Sequence, residues 1–464
     1  MRPLACVILA AGKGTRMKSR LPKPLHQLCG RPMIAHVLDT VAQIGPDRTV
    51  VVIGADADQV RPHLPDCAEV VVQDPPRGTG HAAACAQEAL ADFDGDVLVT
   101  CADIPLLRPD TVRSLIELHR SQSATATLLT MLPDDSTGYG RVVRDQTGAV
   151  QAIVEHRDAD AETLAVREVN TSIYCFDARA LSDALARLTP HNDQQEYYLT
   201  DVIGLLVADG RPVAAIPVDD PDEVMGINTR VQLAQAERVA RDRIRERVML
   251  EGATLLDPAS TLIDAGVTVG CDTVIGPGCC LLGGTSVGEG CEIRGQVTLR
   301  DATLGDGVLI RDHTLIEQSS IGDECQVGPF TLVRGRSVIG PGCKLGSSAE
   351  INRSVLGAGC KMQHFSYLGD AEVGERCNIG AGVVTCNYDG FNKHRTVIED
   401  EAFVGSDAIL VAPVRIGSGA YVGAGSVITG DVPAGALGVE RGEQRNIEGW
   451  VARRRQREHT GEGE

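Results

Sequence analysis

A chain of 464 residues is long enough for two or three domains, each with its own core. Its formal charge of −19 excludes nucleic acid as a main partner, since a phosphate backbone demands basic surface. Small phosphorylated ligands stay open, because they need only a local cation. Aromatic residues are 3% of a chain that is 43% hydrophobic, which favours elements too short to seat rings.

In chain order, Ala5-Cys-Val-Ile-Leu9, Thr49-Val-Val-Val-Ile53 and Asp96-Val-Leu-Val-Thr100 predict buried strands of a parallel sheet. Met33 to Val41 and Thr111 to His119 predict amphipathic helices between them, so residues 1–230 read as a doubly wound α/β domain. Residues 231–251 read as one linker helix. Leu233, Ala236, Ala240, Ile244 and Val248 recur at helical spacing, and arginines on the other positions would pair with Glu237, Asp242 and Glu246. From Gly252 an aliphatic residue returns every sixth position: Val269, Ile275, Leu281, Val287 and Ile293, then Ile321, Val327, Val333, Ile339, Leu345 and Ile351, and last Ile398 to Ile428. Six is neither the helix nor the strand period, so it describes a larger unit. Three six-residue edges close a triangular coil, and stacked coils make a parallel β-helix over 252–464. The tail from Arg453 to Glu464 is charged and reads as disordered.

Six of the cysteines (Cys279, Cys291, Cys325, Cys343, Cys360 and Cys377) fall four residues after a guide aliphatic. That spacing predicts small packing residues at a tight corner, reduced in a cytoplasmic setting, rather than disulfides or zinc ligands. Val7 to Gly12 is too short an apolar run for a signal peptide, and no stretch approaches the ~20 apolar residues of a membrane span.

Leu9-Ala-Ala-Gly-Lys-Gly-Thr-Arg-Met17 follows the first strand and precedes Leu21-Pro-Lys-Pro24. Its glycines let backbone N–H groups approach phosphate oxygens, and Arg16 and Lys23 add fixed positive charge. The spacing is that of neither a Walker loop nor a dinucleotide fingerprint. Here the chain resembles the sugar-nucleotide pyrophosphorylases. Together with the hexapeptide half, it is similar to the bifunctional N-acetylglucosamine-1-phosphate uridyltransferase / glucosamine-1-phosphate N-acetyltransferase family.

That resemblance implies a Rossmann-like α/β nucleotidyltransferase domain, a linker helix and a left-handed β-helix. It places UTP against Leu9, Ala10, Ala11, Gly12 and Lys23, and uracil against Gly78 and Thr79. Asp103 and Asn228 would hold Mg²⁺, while Gly140, Glu155 and Asn170 would hold the sugar. Pro76, Ala102 and Gln195 depart from the family, which usually has glutamine, glycine and glycine there.

The repeat is interrupted at Cys386-Asn-Tyr-Asp-Gly-Phe-Asn-Lys-His-Arg-Thr396, and projecting loops on repeat scaffolds tend to carry function. The loop matches one that closes over the family's acetyltransferase site. His364 matches its catalytic base, a role that suits an imidazole near neutral pH. Arg334, Tyr367 and Asn378 match positions for glucosamine 1-phosphate, and Ala381, Asn387, Tyr388, Ser406, Ala424 and Arg441 match those lining acetyl-CoA. Asn352 stands where the family carries a lysine against the sugar phosphate, and strand alternation would turn Arg353 to the opposite face.

The resemblance further implies a homotrimer with shared acetyl-CoA sites and, in a bacterium, supply of cell-wall and lipopolysaccharide precursors. A monofunctional sugar-1-phosphate nucleotidyltransferase with a structural or regulatory β-helix is the alternative.

Overall fold

The computed structural model describes residues 2–55 and 57–460. The chain divides into two compact units, Met1–Ile244 and Arg245–Glu464. The division falls inside one helix, Arg230–Leu250. Its arginines explain why. Arg243 bonds Leu106 O at 2.7 Å and Asp220 at 3.1 Å, while Arg245 bonds Pro258 O at 2.5 Å and Arg247 bonds Val267 O at 3.0 Å. Arg241 pairs with Glu237 along the helix as the sequence suggests, but Arg243, Arg245 and Arg247 also reach beyond it.

The first unit is built on a nine-stranded sheet: β1 Leu4–Ala10, β2 Arg48–Ile53, β3 Glu69–Val72, β4 Asp96–Cys101, β5 Ala126–Met131, β6 Arg141–Arg144, β7 Val150–Val154, β8 Val169–Asp177 and β9 Val213–Pro217. The spatial order is β9-β5-β8-β4-β1-β2-β3, with β6 pairing β8 and β7. Strands β2, β1 and β4 run parallel, as read from their apolar runs, and β3, which the sequence reading did not single out, extends the parallel set. Strand β8 is antiparallel to both β4 and β5, which the sequence does not announce. Both faces are covered: Val7, Val50 and Val99 enter one core, and Cys6, Ile8, Val51 and Leu98 the other. Two-sided burial is why these strands read as continuous apolar runs rather than alternating ones. The predicted helices are present as α1 Met33–Ile44 and α2 Pro109–Ser121.

The second unit is a three-faced coil of parallel sheets with 11, 10 and 9 strands. Up to the last turn each strand pairs with the strand three further along the chain, so every such turn of the coil contributes one edge to each face. With its hexapeptide period this is a left-handed parallel β-helix. All the guide aliphatics point inward; Ile275, Leu281, Ile310, Ile316, Ile351 and Leu410 have no exposed surface. Each such burial contributes about 1.5–3 kcal/mol.

The corner cysteines Cys279, Cys291, Cys325, Cys343, Cys360 and Cys377 are buried, and all fifteen cysteines are free. Their thiols donate to carbonyl oxygens of the next coil, as Cys343 does to Gly357 O at 3.1 Å. The tail differs from its expected disorder, because Trp450–Thr460 forms a helix; residues 461–464 lie outside the described set. Arginine, glutamine and alanine are good helix formers, so local propensity outweighs charge there. No helix among the described residues is long and apolar enough to cross a membrane.

Candidate active sites

In the first unit the chain leaves β1 toward β2 on one side, while β4 lies on the other. Loops at the carboxyl ends of β1 and β4 therefore splay apart, which makes a crevice. A cleft of about 430 Å³ opens there, lined by Leu9, Ala10, Ala11, Gly12, Lys23, Gly78, Thr79 and Asp103. These nucleotide candidates thus border one cavity, while Arg16 and Asn228 are outside its lining. Asn228 joins it through Lys23, whose Nζ donates to Asn228 Oδ1 at 2.7 Å and is paired with the Asp103 carboxylate. Arg16 also donates to Asn228 Oδ1, at 2.9 Å.

The backbone holds this cluster in place: Ile227 N–H bonds Asp103 O at 2.9 Å, and Asn228 N–H bonds Gln232 Oε1 at 2.8 Å. An ammonium thus bridges a carboxylate and an amide oxygen. That donor set suits a hard divalent cation whose other ligands are phosphate and water. No group of three or more His, Cys, Asp or Glu side chains gathers around a metal position among the described residues, so the protein alone offers only part of a shell.

Gly78 has φ +105°, and a Cβ there would meet Tyr197 O at 2.5 Å, so only glycine lets the two segments touch. Pro76 and Ala102 both line the cleft. Gln73, not singled out by the sequence, is buried against it and donates to Gly78 O at 3.0 Å. Gln195 occupies the left-handed region at φ +55°, a conformation that glycine would adopt without strain.

Gly140, Glu155 and Asn170 come together around β8. Asn170 N–H bonds Gly140 O at 2.9 Å, and a Cβ on Gly140 would lie 3.5 Å from Glu155 Cδ. Burial pushes the Glu155 carboxyl up, partly offset by a 3.1 Å bond from Thr200. Tyr139, beside Gly140, is a further residue the sequence did not single out. Burial raises its phenol, and the Asp103 charge adds to that shift, so the Gly140 neighbourhood lies within electrostatic reach of the Lys23 cluster.

In the second unit, strand pairing aligns Lys361 with Asn378 and so sets His364 one coil below Ala381 at the same corner. The column continues upward. Asp407 N–H bonds Ala381 O at 2.7 Å, Gly425 N–H bonds Ser406 O at 2.8 Å, and Arg441 donates to Ala424 O at 3.2 Å. His364, Ala381, Ser406 and Ala424 thus form a row of mostly small residues, with Arg441 at its end. The His364 ring is exposed and makes no hydrogen bond to another described residue.

Across the adjacent sheet, Arg334 pairs with Glu350 at 2.7 Å, and Tyr367 stacks in register on Glu350. The loop from Asn387 to Arg395 is braced by Asp389, which accepts from Phe391 N at 2.7 Å, Asn392 N at 2.6 Å and the His394 ring at 2.7 Å. Those donors hold the Asp389 carboxyl down at about 2. Tyr388 is left exposed on this loop. One expectation is corrected. Arg353 has φ +51°, so alternation fails at that corner, and its guanidinium turns back to bond Asn352 Oδ1 at 3.3 Å.

Fold and sites together define a nucleotidyltransferase joined to a hexapeptide-repeat acyltransferase. Residues 6–198 match the MobA-like NTP transferase domain, 258–340 the GMPPB C-terminal domain, and 395–430 the bacterial transferase hexapeptide (six repeats). Near full-length similarity extends to three bacterial proteins, each named bifunctional protein GlmU. The one from Mycolicibacterium gilvum is 50% identical, covering 98% of this chain and 93% of its own. That from Geobacillus thermodenitrificans is 47% identical, covering 97% and 98%, and that from Pelobacter propionicus 45%, covering 98% and 99%. The chain belongs to the bifunctional GlmU family. Relatives that span both halves and are named bifunctional disfavour a merely structural β-helix.

Proposed function

We propose that the chain makes UDP-N-acetylglucosamine in two steps. The β-helix acetylates glucosamine 1-phosphate from acetyl-CoA, and the α/β unit then transfers uridylyl from UTP to the product, releasing pyrophosphate. The observation that carries this reading is that each half holds its own assembled cluster: Lys23, Asp103 and Asn228 at one cleft, and His364 at the foot of a small-residue column.

In uridylyl transfer a phosphate oxygen of N-acetylglucosamine 1-phosphate attacks the α-phosphorus of UTP, and the bond to pyrophosphate breaks. Leu9 to Gly12 line the phosphate path, Gly78 and Thr79 receive uracil, and Gly140, Glu155 and Asn170 hold the sugar. Asp103 and Asn228 would hold Mg²⁺, which when bound offsets the repulsion between the two anions. Lys23 and Arg16 add positive charge beside the phosphates, with Lys23 turning from Asp103 toward them.

In acetyl transfer the free His364 imidazole accepts a proton from the sugar amine as it attacks the thioester carbon, and CoA leaves on sulfur. Arg334, Tyr367 and Asn378 hold glucosamine 1-phosphate. Acetyl-CoA runs along Ala381, Ser406 and Ala424 to Arg441, with Asn387 and Tyr388 closing over it. The mature assembly is a cytoplasmic homotrimer in which neighbouring coils share these sites; a monomeric mass in solution would count against it.

The test is incubation with glucosamine 1-phosphate, acetyl-CoA, UTP and Mg²⁺, with products identified by mass. Asp103→Ala should stop pyrophosphate release and keep CoA release, and His364→Ala should do the reverse. Unchanged CoA release in His364→Ala would remove that residue from its role.

A further inference from the structure

The strand row that carries Arg334 in the second site brings little positive charge of its own. Register stacks Arg334 on Asn352 and Asn352 on Gly369, so Asn352 occupies the middle of that row and brings no charge. Arg334, paired with Glu350 at 2.7 and 3.2 Å, is therefore the one cation of that row. A phosphate dianion seated here needs another cation.

Arg353 is placed to supply it. Its left-handed φ bends the chain at the end of the strand Ala349–Asn352 and returns the guanidinium to the Asn352 side chain. Nε and Nη2 hold Asp370 at 2.7 and 2.9 Å, a bidentate grip that fixes the plane of the group. Asp370 is steadied from the other side by the Asn387 amide of the projecting loop. A guanidinium has five N–H donors; one each on Nε, Nη2 and Nη1 is engaged, which leaves two for an anion. The Arg353 guanidinium holds the Asp370 carboxyl below its usual range, and Asp370, followed by the Tyr367 phenol, strengthens Arg353 as a cation. Tyr367 is thus within electrostatic reach of the same group.

We propose that Arg353 is the phosphate-binding cation of the sugar subsite, its charge standing one residue beyond the position where related chains carry lysine. It thereby selects a phosphorylated amino sugar over the free one. This rests on the acetyltransferase reading above.

The test is steady-state kinetics of CoA release by the full chain. Arg353→Ala should raise KM for glucosamine 1-phosphate about tenfold or more, as for loss of a charged hydrogen bond. The KM for acetyl-CoA, and uridylyl transfer in the other unit, should stay at parent values. Moving the charge back with Asn352→Lys/Arg353→Asn should restore the sugar-phosphate KM to within about threefold of the parent. An unchanged KM in Arg353→Ala overturns the proposal. So does a failed restoration, or a rise in both KM values together, because Arg353 then only braces the loop through Asp370 and Asn387. A parent protein that releases no CoA at all would instead overturn the acetyltransferase reading.

Discussion

Single residues with left-handed backbone carry much of the local detail. Gln195 sits at φ +55° on an exposed turn, a conformation that costs a residue with a Cβ roughly 1–2 kcal/mol. Its position beside the cleft-lining Glu196 means that the strain is stored next to the cleft of the first unit. Gln195→Gly should stabilise the first unit by about 1 kcal/mol, read as a higher denaturation midpoint for that unit. A lower midpoint would show that the turn is held by contacts of the glutamine itself. The departure at 195 was legible from the sequence; the reason for it, a positive φ, was not. Arg353 is the opposite case. Its residue type was plain, but the side of the strand it serves depends on a corner angle that period-two alternation does not contain.

At the scale of elements, the hexapeptide coil was the most legible feature, because a burial period of six leaves its mark on every turn. Its corner slot accounts for the cysteines: Cys343 has no exposed surface, its thiol donates to the Gly357 carbonyl, and its side-chain neighbours along the corner are Cys325 and Cys360. Cys343→Ala should therefore cost about 1 kcal/mol and leave both activities near parent levels. A folded Cys343→Ala protein that lost acetyl transfer would assign that thiol a chemical task. Two elements escaped the sequence. The antiparallel β8 carries no residue pattern that marks its direction, which connections decide rather than residues. The tail helix Trp450–Thr460 is exposed at every described side chain, 450–457, so it shows no buried stripe there for a periodicity reading to find.

Across the whole molecule, two chemistries with different needs share one chain. Uridylyl transfer brings two anions together and, in the proposed mechanism, would use a cation held by Asp103 and Asn228. Acetyl transfer needs a base, the role proposed for His364, and that role calls for no metal. Chelating divalent cations with EDTA should stop pyrophosphate release while CoA release continues, and added Mg²⁺ should restore the first. Loss of both activities on chelation would contradict the division of labour.

The sequence by itself determined the class of each half, the glycine-rich loop after β1, the six-residue coil and the loop that breaks it. All of these rest on local pattern, where burial selects residue types at fixed spacing. Only the tertiary structure decided which distant groups meet. Lys23 reaches Asp103 and Asn228 across 80 and 205 residues because the sheet reverses its strand order at β1. Glu155 faces Gly140 because β6 and β7 fold together, and Arg353 faces Asn352 because one corner residue adopts a left-handed angle. Convergence of this kind follows from strand order, register and single backbone angles, none of which leaves a periodic trace in the chain.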